Sequence, residues 1–166
     1  KQVYVGGNLT ERVYYNDENF VTIMNSSGVF NFTYVKQDGV LVAQKRPSGT
    51  KDFIHVDPYG SQQIVTNSVG TIQENTSFDP FGRMLSGGNM TRFDYEGKEY
   101  SSVVGDYDFN FRKYNPESKI FTQPDSLIAR PYDPQSLNRF AFERNNPYLR
   151  LDPDGHTDSA STYGSP

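Results

Sequence analysis

An all-β fold of antiparallel hairpins is what this sequence predicts, from its aromatic-rich composition, its short β-prone runs and its evenly placed turn signals. Twelve Tyr and twelve Phe bring aromatics to 14%, while all hydrophobic residues together reach only 34%. Rings must therefore supply much of the buried area, and aromatic and β-branched side chains suit a pleated surface. No window repeats apolar residues at helical spacing through three turns. Short alternating or aromatic runs recur instead, at 3–5, 12–15, 29–35, 40–44, 52–56, 63–66, 71–78 and 92–95.

Turn signals separate these runs. Asp38-Gly39, Asp57-Pro58-Tyr59-Gly60, Ser68-Val69-Gly70 and Asp79-Pro80-Phe81-Gly82 mark reversals. In the D-P-x-G turns proline presets φ at the second position, glycine closes the turn, and the Asp side chain bonds its own backbone. Gly39, Gly60 and Gly82 stand 21 and 22 residues apart, a spacing typical of units that bury their faces by stacking on neighbours. From Gly105 the texture changes. Residues 107–151 are dense in Tyr, Phe, Arg, Asn and Pro, with turns at Asn115-Pro116, Asp133-Pro134 and Asn146-Pro147. Here the sequence admits one short helix, over 134–143, with Asp133 as N-cap and Pro134 in the first turn. The expected organisation is a hairpin region over 1–105, an irregular aromatic block over 106–155 and a polar tail over 156–166.

Composition narrows the function. The net charge of −4 and the absence of any basic run argue against a nucleic-acid surface. No apolar stretch approaches the roughly 18 residues of a membrane span. There are no cysteines, so no disulfide scaffold, thiol nucleophile or Cys-based zinc site is expected. His55 and His156 are the only histidines and lack ligand spacing, and with no phosphate cradle in view neither a metal nor a cofactor is expected. Five N-x-S/T sequons, at Asn8, Asn25, Asn31, Asn75 and Asn89, all precede residue 92. They are read either as turn-forming residues or as glycosylation sites on an extracellular surface.

Several segments resemble one family. FDPFGRML at 78–85 is similar to the YD-repeat signature Y-D-x-x-G-R-L, and HVDPYGS at 55–61 followed by IVT at 64–66 to its H-x-D-x-x-G-S…V-T segment. FDYEGKEY at 93–100 resembles F-x-F-T-G-K-E-Y. YDFNFRKYNPESKIFTQPD at 107–125 resembles Y-D-F-x-A-R-Y-Y-D-P-x-x-G-R-F-x-x-x-D, and YDPQSLNRFAFERNNPYLRLDPDG at 132–155 resembles the family's Y-D-P-Q-S-L-N-R…D-P-D-G ending. These blocks identify an RHS repeat-associated core, as in bacterial RHS proteins, the C components of insecticidal toxin complexes and teneurin shells. The resemblance implies hairpins coiled into a β shell with the core block plugging one end.

It also implies a candidate chemistry. In many bacterial members the core resembles an intramolecular aspartic protease that cuts just after P-x-x-x-x-D-P-x-G-L. Such a pair needs two carboxylates close enough that one keeps a proton while the other activates water. Asp152, in Pro147–Gly155 of this chain, is the first candidate, and Asp125 or, second, Asp133 its partner. Arg139 or Arg130 would hold a carboxylate or the scissile carbonyl. Against this stand Ser126 after Asp125, His156 where leucine is the family's residue, and only eleven residues after Gly155. A structural role makes Asp152 a turn residue and Arg112 and Arg139 ion-pairing or ring-stacking groups. Tyr107, Phe109, Phe111, Tyr114, Phe121, Phe140 and Phe142 are then core.

The leading expectation is non-enzymatic: a glycosylated extracellular or cell-surface module that caps a β shell or self-assembles through strand edges. Its partners would be further YD-repeat segments, copies of itself paired through residues 1–7, or surface glycans. The alternatives are an autoproteolytic core of a toxin-delivery protein and a carbohydrate-binding adhesin.

Overall fold

A computed structural model of the chain describes residues 1–127, 132–156 and 159–160. Arg130 and most of the expected tail, residues 157–158 and 161–166, lie outside the described residues. The chain divides into two compact units, Lys1–Asn75 and Thr76–Pro166. Every described strand pairing is antiparallel.

The first unit is one eight-stranded sheet in sequence order: β1 (Gln2–Val5), β2 (Asn8–Tyr15), β3 (Phe20–Asn25), β4 (Gly28–Gln37), β5 (Val40–Lys45), β6 (Lys51–Val56), β7 (Gln62–Asn67) and β8 (Ile72–Asn75). Six expected runs fall on β1, β2 and β4–β7. The 71–78 run is broken at buried Thr76, and β3 adds a strand outside the runs.

Turn chemistry sets the hairpins. Asp57 Oδ1 accepts from the amides of Tyr59 and Ser61, each at 2.8 Å, and Gly60 N donates to Asp57 O at 3.0 Å. Asn67 repeats the device, accepting from Val69 at 3.1 Å and Thr71 at 2.9 Å. Asp79 repeats it with Phe81 and Arg83, both at 2.9 Å. Register shifts in four pairings of the eight-stranded sheet, at Val3/Tyr4, Val35/Lys36, His55/Val56 and Val65/Thr66, increase the local twist.

Alternation then sorts the two faces. Val13, Val21, Ile23, Tyr34, Leu41, Ile54 and Val65 are buried, while Tyr14, Met24, Val35 and Phe53 point outward. Cross-strand pairs such as Val13↔Ile23 and Ile54↔Val65 knit the buried face. That face also holds a polar pair from facing positions of β5 and β6. Gln44 Nε2 donates to Asp52 Oδ2 at 2.9 Å, and Arg46 closes on the same oxygen at 2.5 Å.

The second unit uses shorter strands. β9 (Ser77–Phe78) pairs with β10 (Met84–Ser86) around the Asp79–Gly82 turn. A four-stranded sheet joins β11 (Glu99–Ser101), β12 (Asp106–Asp108), β13 (Lys113–Asn115) and β14 (Ile120–Phe121), and β15 (Arg150–Leu151) pairs with β16 (Ser159–Ala160). Strands this short cannot hold by ladders alone, and an aromatic cluster takes their place. Tyr107, Phe109, Tyr114, Phe121 and Phe142 have no exposed surface, and Tyr95, Phe78, Phe81 and Tyr100 pack on them. Tyr114 and Phe142 stack at 3.9 Å, and Phe109 meets Tyr114, Phe121 and Phe142 edge-on at 5.4–5.7 Å.

Each buried tyrosine of the second unit finds an acceptor in the 79–82 turn. Tyr95 Oη donates to Pro80 O at 2.9 Å, Tyr114 Oη to Phe81 O at 2.7 Å and Tyr107 Oη to Gly82 O at 3.0 Å. Gly82 has φ +80°, and a Cβ there would stand 2.6–2.9 Å from the Tyr95 ring. Both the backbone and the ring require glycine.

Three expectations need correction. Residues 92–95 form no strand: Phe93 makes one bridge to Glu99, and the chain reverses through the 3-10 turn Tyr95–Gly97, closed by Asp94 N to Lys98 O at 2.9 Å. The helix over 134–143 shrinks to a 3-10 turn, Pro134–Leu137, capped by Asp133. It stops there because 139–141 is drawn alongside 120–125, with Phe121 N to Phe140 O at 3.0 Å and Asp125 N to Arg139 O at 2.9 Å. Phe111 and Phe140 are 66% and 40% exposed rather than core. Asn110, at φ +68°, turns the chain so that Phe111 leaves the cluster that Phe109 joins.

Two substitutions test the core. Phe142→Ala is expected to lower the unfolding free energy by about 3–5 kcal/mol, against less than about 0.5 kcal/mol for exposed Val104→Ala, in denaturant titrations. Tyr107→Phe, which strands the Gly82 carbonyl, is expected to cost about 1–2 kcal/mol.

Candidate functional site

The D-P-D-G segment at 152–155 is fastened by groups from three separate stretches of the second unit. Glu143 Oε1 accepts from the Asp152 amide at 3.0 Å. Lys98 Nζ donates to Pro153 O at 2.6 Å. Phe111 N donates to Asp154 O at 3.2 Å. Arg112 Nε donates to Gly155 O, and Asp152 Oδ1 closes the turn on Gly155 N at 2.8 Å. Gly155 has φ +84°, and a Cβ there would lie 2.6 Å from Phe109 O. The turn therefore lies directly against the core strand.

Arg112 is the hub. One guanidinium nitrogen, Nη2, meets Asp152 Oδ2 at 3.0 Å and Asp125 Oδ2 at 3.2 Å. Nη1 donates to Arg139 O at 3.1 Å, and the planar group lies 3.6 Å over the Phe121 ring. Asp125 and Asp152, 27 positions apart in the chain, thus converge on one cation. Arg112 stands between them, so both carboxylates meet the same positive charge. Arg139 takes a different part: its Nε donates to the main-chain carbonyl of Asp125 at 2.6 Å. Asp133 caps its 3-10 turn and pairs with Arg144 at 2.7 Å. His156 Nδ1 lies 3.0 Å from Asp125 Oδ1, and its ring rests 4.3 Å from that of Phe111. A cavity of about 50 Å³ opens beside Arg112, Asp125, Arg139, Glu143, Asp152 and His156, room for one or two waters among polar partners.

A second carboxyl pair lies behind this cluster. Glu96 and Glu143 face each other, and both are raised well above the ordinary carboxyl range. Burial is the main cause for both, and for Glu143 the charge of Glu96 comes next. Lys98 beside them is lowered by burial, an effect that Glu96 and Asp152 oppose. Tyr95, Tyr107 and Tyr114 are raised by the same desolvation. Burial thus favours the neutral form of both glutamates. Sequence reasoning did not single out Glu96, Lys98 or Glu143, although EGKEY and FERNNP stand in the blocks that carry the resemblance.

The five sequon asparagines are all exposed. Asn25 Oδ1 also accepts from Ser27 N at 2.9 Å within its turn. Among the described residues no group of three or more His, Asp or Glu side chains is placed to hold a metal ion. No described helix is long and apolar enough to cross a membrane, which says nothing of a crossing by strands.

Removing Arg112 would leave two buried carboxylates facing each other. Arg112→Leu is expected to destabilise the second unit by about 3–5 kcal/mol, with part of the loss recovered on acidification as the aspartates take up protons, measured by unfolding at several pH values. Gly155→Ala is expected to cost at least about 2 kcal/mol, from the left-handed backbone and the contact with Phe109 O.

The teneurin YD-shell family profile matches residues 5–148. The tRNA3(Ser)-specific nuclease WapA of Bacillus spizizenii is 26% identical over 161 residues, covering 93% of this chain and 7% of that protein. Salivary gland surface protein 1 of Aedes aegypti is 29% identical over 107 residues, covering 60% of this chain and 3% of that protein. Among solved structures, a TcdB2-TccC3 complex without its hypervariable C-terminal region superposes with a TM-score of 0.73 at 23% identity, over 93% of this chain and 8% of that one. A Tc holotoxin pore of Photorhabdus luminescens gives 0.74 at 21%, over 99% and 8%. The chain thus spans less than a tenth of these relatives. The profile match over most of the sequence, with the all-β fold shared with the toxin-complex structures, makes this chain a member of the teneurin YD-shell family.

Proposed function

We propose that this chain is a closing segment of a YD-repeat shell in a secreted or cell-surface protein, glycosylated at its exposed sequons. The observation that carries this reading is the edge of β1. Among the described residues β1 has a neighbour on one side only, so its other edge offers backbone groups to a further strand. That strand comes from additional YD-repeat segments or from another copy of the chain. The second unit supports a capping role, since its strands run to only two or three residues and an aromatic cluster replaces the ladder.

Lys1 and Val13 exchange both backbone hydrogen bonds, at 2.8 Å. The next residue, Gln2, therefore turns its backbone groups to the free edge. Self-pairing predicts concentration-dependent association of the full chain in light scattering, abolished by Gln2→Pro. A monomer at every concentration would remove self-pairing and leave continuation into further repeats. For the glycans, the chain secreted from a eukaryotic host is expected to lose mass on treatment with peptide N-glycosidase, and Asn25→Gln to lose one glycan.

A second reading, self-cleavage, is favoured by the convergence of Asp125, Asp152 and the Gly155 carbonyl on Arg112. It predicts a processed chain by intact mass and an unprocessed Asp152→Asn variant. An intact wild type would leave the cluster as the buried fastening of the cap.

A further inference from the structure

Asn31 differs from the other four sequon asparagines in where it stands. Asn8 begins β2, Asn25 ends β3 and Asn75 ends β8, while Asn89 Nδ2 is taken by the Gly87 carbonyl at 3.2 Å. Asn31 lies inside β4, exposed on the open face of the eight-stranded sheet. It is paired with Thr22 of β3, which is paired in turn with Tyr14 of β2. A hydrogen-bond chain crosses these strands. Asn16 Nδ2 donates to Thr22 Oγ1 at 3.0 Å, and Thr22 Oγ1 donates to Asn31 Oδ1 at 2.9 Å. Using that hydroxyl both ways fixes which end of the Asn31 amide faces β3. Nδ2 is the end left over, and it is the atom that carries an N-linked sugar.

Alternation gives that atom an apolar surround. Phe20 and Met24 flank Thr22 on the same face of β3 and stand diagonal to Asn31. Val29 precedes Asn31 by two on β4 and shares its face. Phe20 is half-buried, whereas Met24 is 38% exposed and Val29 58%. On the other side β5 ends at Lys45, opposite Thr33, so no strand residue stands beside Asn31 there. Room for a sugar and apolar surface for it to cover therefore meet at one sequon.

We propose that the Asn31 glycan lies down on this face, its first sugar covering Phe20, Met24 and Val29. The inference rests on the glycosylation reading and singles out one sequon as part of the fold. Transfer takes an oligosaccharide from a lipid-linked diphosphate donor. The anomeric carbon bonds to Nδ2, its bond to the phosphate oxygen breaks, and Nδ2 gives up one proton. Oδ1 is untouched, so the chain from Asn16 survives the modification. The C–H face of the sugar removes apolar side-chain surface from water, which favours lying down over standing free. Its hydroxyls then face outward. A sheet face that exposes Met and Val invites unspecific association; covered, it is turned to solvent, and pairing is left to the strand edge.

Met24 is the reporter, because oxidation of a methionine follows its exposure. The full chain, secreted from a eukaryotic host, is treated with dilute peroxide. Sulfoxide at Met24 is read by peptide mass spectrometry against Met84 of the second unit. It is expected to form at least about threefold more slowly in the wild type than in Thr33→Val, which loses the sequon and keeps Asn31. Asn31→Gln gives the same comparison if Thr33→Val does not fold. Asn75→Gln removes a glycan from the far end of the sheet order and is expected to leave the Met24 rate unchanged. Trimming the wild-type glycan to its first sugar is expected to keep the protection. An occupied Asn31 with equal Met24 rates in wild type and variant would overturn the inference and leave the glycosylation reading standing. So would sugar at other sequons with Asn31 bare. A chain without sugar at any of the five sites would overturn both.

Discussion

The second unit depends on three tyrosine hydroxyls meeting three successive carbonyls. Pro80, Phe81 and Gly82 expose their carbonyls in one tight turn, and Tyr95, Tyr114 and Tyr107 take one each. A buried phenol without an acceptor is costly, and so is a buried carbonyl without a donor. The turn and the aromatic cluster therefore solve each other's problem. The same arrangement explains the glycine of the FDPFGR motif, because the Tyr95 ring occupies the space a side chain would need. Hairpin signature and core block are one structure, joined by hydrogen bonds that span 15, 33 and 25 residues.

The buried charges obey a related logic. Arg112 can enter the core because its face lies on Phe121 and its donors are taken by two carboxylates and two carbonyls. Two aspartates can follow it because they share that cation. Glu96 and Glu143 are raised by burial instead, which favours their neutral forms. Within one small region the chain thus uses both general solutions to buried acid, pairing and neutralisation.

Where structure is local, the sequence was readable. The D-P-x-G and Asp-Gly turns, the β-prone runs and the family blocks all carry information within a few residues, and they place the hairpins of the first unit and the 79–82 turn. Reading stopped where distant segments decide. Phe109 and Phe111 differ by two positions and end on opposite sides of the cluster boundary because Asn110 adopts φ +68°, which no periodicity reports. A fair helix cap at Asp133 lost to the pairing of 139–141 with 120–125, an instance of tertiary contacts overriding propensity. Asp125 and Asp152 were legible as acids in motif context. That their common partner is Arg112 rather than Arg139 follows only from packing on Phe121.

Backbone strain is distributed in the same lopsided way. Of the seven described non-glycine residues with positive φ, Asp38 alone is in the first unit; Glu96, Asn110, Lys119, Glu143, Arg144 and Asn145 are in the second. A repeating sheet has no need of such conformations, because each hairpin copies its neighbour's geometry. Bringing Glu96 and Glu143 face to face, and Gly155 against Phe109, demands bends that a ladder does not provide. Each left-handed residue costs roughly 1–2 kcal/mol, and the rings, the Arg112 cluster and the tyrosine hydroxyls are what offset it. The energy of aromatic packing is thus partly held as bent main chain in the turns that surround residues 152–155.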